Sequence, residues 1–184
     1  MRNIFCAIFL AFTCTTAFAD NPLRVISGKS ELKSLMKENA IICLQMDWSE
    51  ATYDNEISVE EKFGEDLDYI MTDCDVNMLA GFNEHSKGLK MQLEEDGAKY
   101  KMLVKVENID WRVMPAAVGW GWHGINVGAN EGQIWGDIII TNVATDEEIA
   151  EIRIEEAEEG YDTTRDGCFG KTFYIVGKKV AKLK

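Results

Sequence analysis

Lys99-Tyr100-Lys101-Met102-Leu103-Val104-Lys105-Val106-Glu107 is the stretch whose reading decides the fold. Tyr100, Met102, Val104 and Val106 alternate with Lys99, Lys101, Lys105 and Glu107, a period of two that marks a strand with one buried face. Downstream, Ile134-Trp135-Gly136-Asp137-Ile138-Ile139-Ile140 and Ile149-Ala150-Glu151-Ile152-Arg153-Ile154 read as two more strands. The segment 142–148, centred on Thr145-Asp146, is the expected turn between them. Trp111 to Gly132 is expected to form a long loop, and it carries Trp120-Gly121-Trp122-His123-Gly124.

Working towards the amino terminus, Leu89, Met91 and Leu93 alternate with Lys90 and Gln92, and Asp96-Gly97 is a turn signal that would fold this short strand back on the Lys99 strand. Before it, Phe63, Leu67, Ile70, Cys74, Met78 and Phe82 recur at steps of three and four, predicting one helix from about Glu60 to Asn83 that stops at Ser86-Lys87-Gly88. Residues 47–59 are polar and irregular. Ile41-Ile42-Cys43-Leu44 suits a strand buried on both faces. Leu23 to Ile26 is a short strand, followed by a helix capped by Ser27 or Ser30 with Leu32, Leu35 and Met36 on one side. A strand, a short helix and a buried strand in this order predict a right-handed crossover unit. At the other end, Phe169, Phe173, Val176 and Val180 have helical spacing, and Lys178, Lys179, Lys182 and Lys184 complement the dipole at the helix end. These elements predict a single α+β domain over residues 20–184, a mixed sheet with about three helices.

Residues 1–19 read as a cleaved secretory signal. Arg2 supplies a positive start, Ile4 to Phe12 an apolar run, and Ala17-Phe18-Ala19 a small-x-small cleavage site. Lipoprotein processing at Cys14 competes poorly, because Phe12 and Thr13 replace the small residues it needs. A periplasmic or extracellular location is therefore expected. Nothing later is apolar enough to suggest a membrane span. The full chain carries 32 acidic and 19 basic residues, a net charge of −13. A field of that sign repels phosphate backbones and anionic lipid surfaces, which argues against nucleic acid as a partner. Beyond the leader lie Cys43, Cys74 and Cys168, with no CxxC. One pair plus a free thiol, or three buried thiols, both fit, and their apolar settings favour the second.

Three segments carry a resemblance: the buried strand followed by Asp47-Trp48-Ser49, the run 101–110 from Lys101 to Asp110, and Gly136-Asp137-Ile138-Ile139-Ile140. They resemble small secreted proteins of uncharacterised function from Bacteroides-type bacteria. More distantly, the element order is similar to the amino-terminal domain of the periplasmic protein TolB and related envelope lipoproteins. The resemblance implies a periplasmic or surface α+β module and brings no catalytic residues with it.

Candidate chemistry is sparse. Asp73-x-Asp75-x-Asn77 with Glu84 matches four ligand positions of a calcium loop, but Met78 stands where that loop needs glycine and the helical stripe runs through it. No metal site and no cofactor are expected. Asp47 and Asp110 are the pair to test for glycoside hydrolysis, against the plainer role of capping loop backbone. Glu155-Glu156 and Glu158-Glu159 read as a solvated strand end. The binding candidates are Trp111, Trp120, Trp122 and His123. Four of the five tryptophans fall within 25 residues, and Trp120 and Trp122, set among glycines, could offer flat faces to a glycan or a partner protein. The competing reading is that these indoles cap the end of the sheet. His85 is expected to be a solvated residue near a helix end. The expectation is thus an exported binding or assembly module of the cell envelope without catalytic activity. A carboxylate-dependent hydrolase and an oligomerising structural subunit are the alternatives.

Overall fold

The computed structural model describes residues 21–113, 130–162 and 164–183. At its centre is β6 (Tyr100–Val113), whose alternation holds as read: Tyr100, Met102, Val104 and Val106 are buried, while Lys105 and Glu107 on the opposite face are exposed. On one side β6 pairs antiparallel with β7 (Asn130–Asn142), and β7 with β8 (Glu148–Asp162). At that edge β1 (Leu23–Ser27) pairs antiparallel with β8. On the other side β2 (Ile41–Asp47) runs parallel to β6, and β5 (Lys90–Gln92) parallel to β2. A two-residue-per-arm hairpin, β3 (Thr52–Tyr53) and β4 (Ile57–Ser58), adds to β6 beyond the end of β2. The result is an eight-stranded mixed sheet of order β1-β8-β7-β6-β2-β5 with the hairpin attached to β6.

Alternate residues of these strands bury Ile42, Leu44, Met102, Val104, Ile138, Ile140, Ile152 and Ile154 in a core closed by helices. Those helices are α1 (Lys29–Leu35), α2 (Val59–Phe63), α3 (Leu67–His85) and α4 (Arg165–Val180). The three helices expected are present, the second broken by a 3-10 turn at Gly64–Asp66. Gly64 has φ +52°, which ends α2 without clash and re-aims the chain into α3. Ile70, Cys74, Met78 and Phe82 of α3 meet Phe169, Phe173, Val176 and Val180 of α4 in one core cluster, all essentially without solvent exposure. A Cβ at Gly81 would lie 2.1 Å from the Tyr174 carbonyl oxygen, and one at Gly177 only 2.2 Å from that of Met78. The two helices are thus in backbone contact. This is a single-domain α+β fold, and no helix among the described residues is long and apolar enough to cross a membrane.

Four local expectations need correction. Neither serine caps α1: its first turn starts at Gly28, at φ +67°, with no side-chain cap bond. A Cβ there would sit 1.8 Å from the Ile149 carbonyl oxygen, so close passage over β8 selects glycine. β1 and β2 do not form a parallel crossover unit, since three strands separate them and the pairings make them antiparallel. Asp96-Gly97 does turn, with φ +72° at Gly97, but β5 and β6 are not a hairpin. β2, buried at Ile42, Cys43 and Leu44, takes partners on both edges and is inserted between them. The expected loop from Trp111 to Gly132 is shorter, because β6 continues to Val113 and β7 starts at Asn130. The described cysteines Cys43, Cys74 and Cys168 are unpaired and buried, as their apolar settings suggested.

Candidate functional site

The strands β6 and β7 stay paired to Val113 opposite Asn130, and β8 stays paired to β7 as far as Asp162 opposite Asn130, so the connection 114–129 leaves from the end of a three-stranded ribbon. Trp120, Trp122 and His123 lie in that connection, outside the described residues, as do residues 1–19, expected to be a leader. Of the binding candidates the structure places Trp111, and it sits at the ribbon base. Trp111 is opposite Gly132, which is opposite Gly160 on β8. Paired positions share a face of the sheet, and these glycines face α4: a Cβ on either would approach Thr172 Oγ1 and the Cys168 carbonyl. The Thr172 hydroxyl, fully buried, lies 2.9 Å from the Gly132 carbonyl oxygen and 3.0 Å from that of Cys168. Trp111 is half-buried and packs against the core on this side. It ties the ribbon to the domain, while Val113 two residues on is 59% exposed.

The other face of the ribbon base is held by charge. Arg112, opposite Glu131, donates from Nε to its carboxylate at 2.6 Å and from Nη2 to Glu158 at 2.5 Å. Glu131 is 1% exposed, and a carboxylate so enclosed needs a fixed cation. Gln133 donates to Glu156 at 2.9 Å across the same strands. Glu155 and Glu156 are exposed and Glu158 is half-exposed, as read, but they do not end the strand. β8 runs on to Asp162, and Glu155 instead pairs with Arg24. Further along the sheet, the rows Asp47–Lys105–Asp137–Arg153 alternate in sign across β2, β6, β7 and β8. Arg153 bonds both Asp137, at 2.9 Å, and Glu107.

The two carboxylates named for hydrolysis do not converge. Asp47 is level with Lys105, five residues before Asp110 on β6, a separation of roughly 15 Å along the strand. A retaining or inverting pair needs less than about 10 Å. Asp47 instead accepts from the Ser49 amide and hydroxyl, which lower its pKa. Burial raises that of Asp110, opposed by the Trp111 amide and the Tyr53 hydroxyl. Asp73, Asp75, Asn77 and Glu84 lie on the unbroken helix α3, where Asn77 bonds Asp73 and Glu84 accepts from the Tyr174 hydroxyl. Among the described residues no cluster of histidine, cysteine and carboxylates could hold a metal ion. His85 is not merely solvated: its ring packs edge-on to Tyr174 and Nδ1 lies 3.1 Å from the Gly81 carbonyl. Burial pushes the Cys74 thiol far from the thiolate range.

The Arg112–Glu131–Glu158 group escaped the sequence reading. The one signal was a basic residue set one place before the end of a strand and acidic ones in the strands beside it. Only the pairing to Val113 brings them together.

No protein family matches the chain, and no curated protein sequence does. Among solved structures, two crystal forms of the PelC dodecamer from Paraburkholderia phytofirmans are similar to it. One, a point variant in space group C2, has 8% identity and a TM-score of 0.42, over 86% of this chain and 96% of that one. The other, in space group P6, has 10% identity and a TM-score of 0.43, over 86% and 95%.

Proposed function

We propose that the protein is an exported binding or assembly module of the cell envelope that takes a partner protein or a glycan at residues 114–129. The observation that carries this reading is the ribbon. β6 and β7, paired to Val113 and Asn130 and flanked by β8 to Asp162, lead into a connection bearing Trp120, Trp122 and His123, and the ribbon base is fixed on one face by Trp111 and on the other by Arg112. A rigid base lowers the ordering cost of binding at the tip, and indoles between glycines are suited to stacking on a sugar ring or filling a partner's pocket. The leader-like residues 1–19 and the likeness to small secreted proteins and the TolB amino-terminal domain support the same setting.

The test is isothermal titration against envelope glycans and candidate envelope proteins, with Trp120→Ala and Trp122→Ala beside the parent. Each substitution is expected to weaken binding by at least about tenfold, the loss typical of a central aromatic anchor. Unchanged affinity in both variants would move the site elsewhere. An oligomerising subunit using the same segment predicts instead a mass that rises with protein concentration and falls in the same two variants.

A further inference from the structure

A cleft of about 470 Å³ opens between β1, α1 and the tail that follows α4. That is the size of a small-ligand site. Its walls hold Arg24 from β1, Lys29 and Lys33 from α1, and Lys182 from the tail, over an apolar floor that includes Leu32 and Leu183; among the described residues no aspartate or glutamate lines it. In a chain with 32 acidic and 19 basic residues, four cations lining one cavity, with Glu155 at its rim, give it a local charge opposite in sign to that of the molecule.

These cations lack the roles that usually account for surface lysines. Lys29 and Lys33 are four apart on a helix of seven residues, so they share a face and repel each other. Among the described residues none of Lys29, Lys33 and Lys182 forms an ion pair or a side-chain hydrogen bond, and Arg24 alone is engaged, by Glu155 at 2.8 Å on the exposed rim. The dipole of α4 is already met by Lys178 and Lys179 in its last turn. Crowding like charges on one cavity costs stability that a bound anion would restore.

We infer that the cleft is a binding site for a phosphate monoester carrying a short apolar group. The dianion sits among Lys29, Lys33 and Lys182, and the apolar part lies on Leu32 and Leu183. Lysines supply point charges rather than a planar fork, which suits a tetrahedral dianion better than a single carboxylate. Such a group could reach the cleft as a soluble organic phosphate or as a lipid headgroup.

The purified protein is titrated with phenyl phosphate by calorimetry, and sedimented with vesicles of phosphatidylcholine with and without phosphatidic acid. Millimolar or tighter binding of phenyl phosphate is expected, weakening as salt is raised. Lys33→Gln and Lys182→Gln should each cost about fivefold in affinity, Lys178→Gln on the neighbouring helix turn nothing, and Trp120→Ala nothing. Uptake by phosphatidic acid vesicles without phenyl phosphate binding assigns the lipid source and still upholds the site if Lys33→Gln reduces it. Failure of both ligands, or binding that survives the combined Lys29→Gln, Lys33→Gln and Lys182→Gln changes, overturns the proposal.

Discussion

Glu131 and Arg112 form an unequal pair: the carboxylate side chain is 2% exposed and the guanidinium 46%. Deleting the cation takes the opposite charge away from a buried carboxylate, whereas the reverse change leaves an arginine that can turn to Glu158 or to water. Arg112→Met is therefore expected to cost about 2 kcal/mol in urea denaturation, discounted from a fully buried pair because one partner is half in solvent. Glu131→Gln should cost less, and the double variant should recover much of the loss; a double variant as unstable as the sum would show that the two groups act separately. Asp162 gives a pH-dependent counterpart. Its carboxylate accepts from the Thr164 amide and hydroxyl beside Lys171, and its pKa is pushed down from 3.8 to about 2. A lowered folded-state value means stability that is present above about pH 4 and drains away as pH falls towards 2. Asp162→Asn should lower stability at neutral pH and flatten that limb of the acid titration followed by circular dichroism. Asp73, raised by burial and by the Asp162 charge, has the opposite sign, and Asp162→Asn removes the second of these causes, so the difference between the two proteins reports Asp162 together with its coupling to Asp73.

Between elements, the contact of α3 with α4 depends on missing side chains. A Cβ at Gly177 would meet the Met78 carbonyl oxygen at 2.2 Å, and backbone cannot step aside as a flexible side chain can. Gly177→Ala is expected to cost about 3 kcal/mol. Gly64→Ala offers the contrast, since nothing lies within 4 Å of the new methyl and only its φ of +52° is strained, a cost of about 1 kcal/mol. If the two variants unfold at the same urea concentration, close packing is not what selects glycine at 177. The elements themselves differ in how far the sequence discloses them. The stripe from Ile70 to Phe82 and the alternation from Tyr100 to Val106 can be read directly, because each period is set by one buried face. Past Val106 the reading fails for a physical reason. A bulge between Val106 and Asn108 shifts the register, Asn108 and Ile109 are both buried, and the strand loses its period of two. The tip of β7, with Glu131, Gly132 and Gln133, lacks strand-forming side chains altogether and is held by its neighbours. Trp111 therefore passes for loop, and the Arg112 pairing is invisible until the strands are extended.

At the scale of the whole molecule, the sheet and its helical layer are closed by residues 21–113 and 130–183, whereas three of the binding candidates lie between them. Among the described residues the core cluster is continuous, and β6 and β7 are in register up to Val113 and Asn130. That separation of framework and contact segment can be tested by replacing 114–129 with Asn-Gly, the two-residue turn that matches the twist of an antiparallel pair. Shortening a connection from sixteen residues to two lowers the entropic cost of closing it by about 1–2 kcal/mol, so the shortened protein should unfold at an equal or higher urea concentration than the parent. It should also lose the partner or glycan affinity assigned to Trp120 and Trp122, and keep the phosphate affinity of the cleft at α1. A loss of stability above about 3 kcal/mol would mean that the indoles are packed as core, the cost of removing large buried aromatics. The proposed contact surface would then be part of the framework that was meant to carry it.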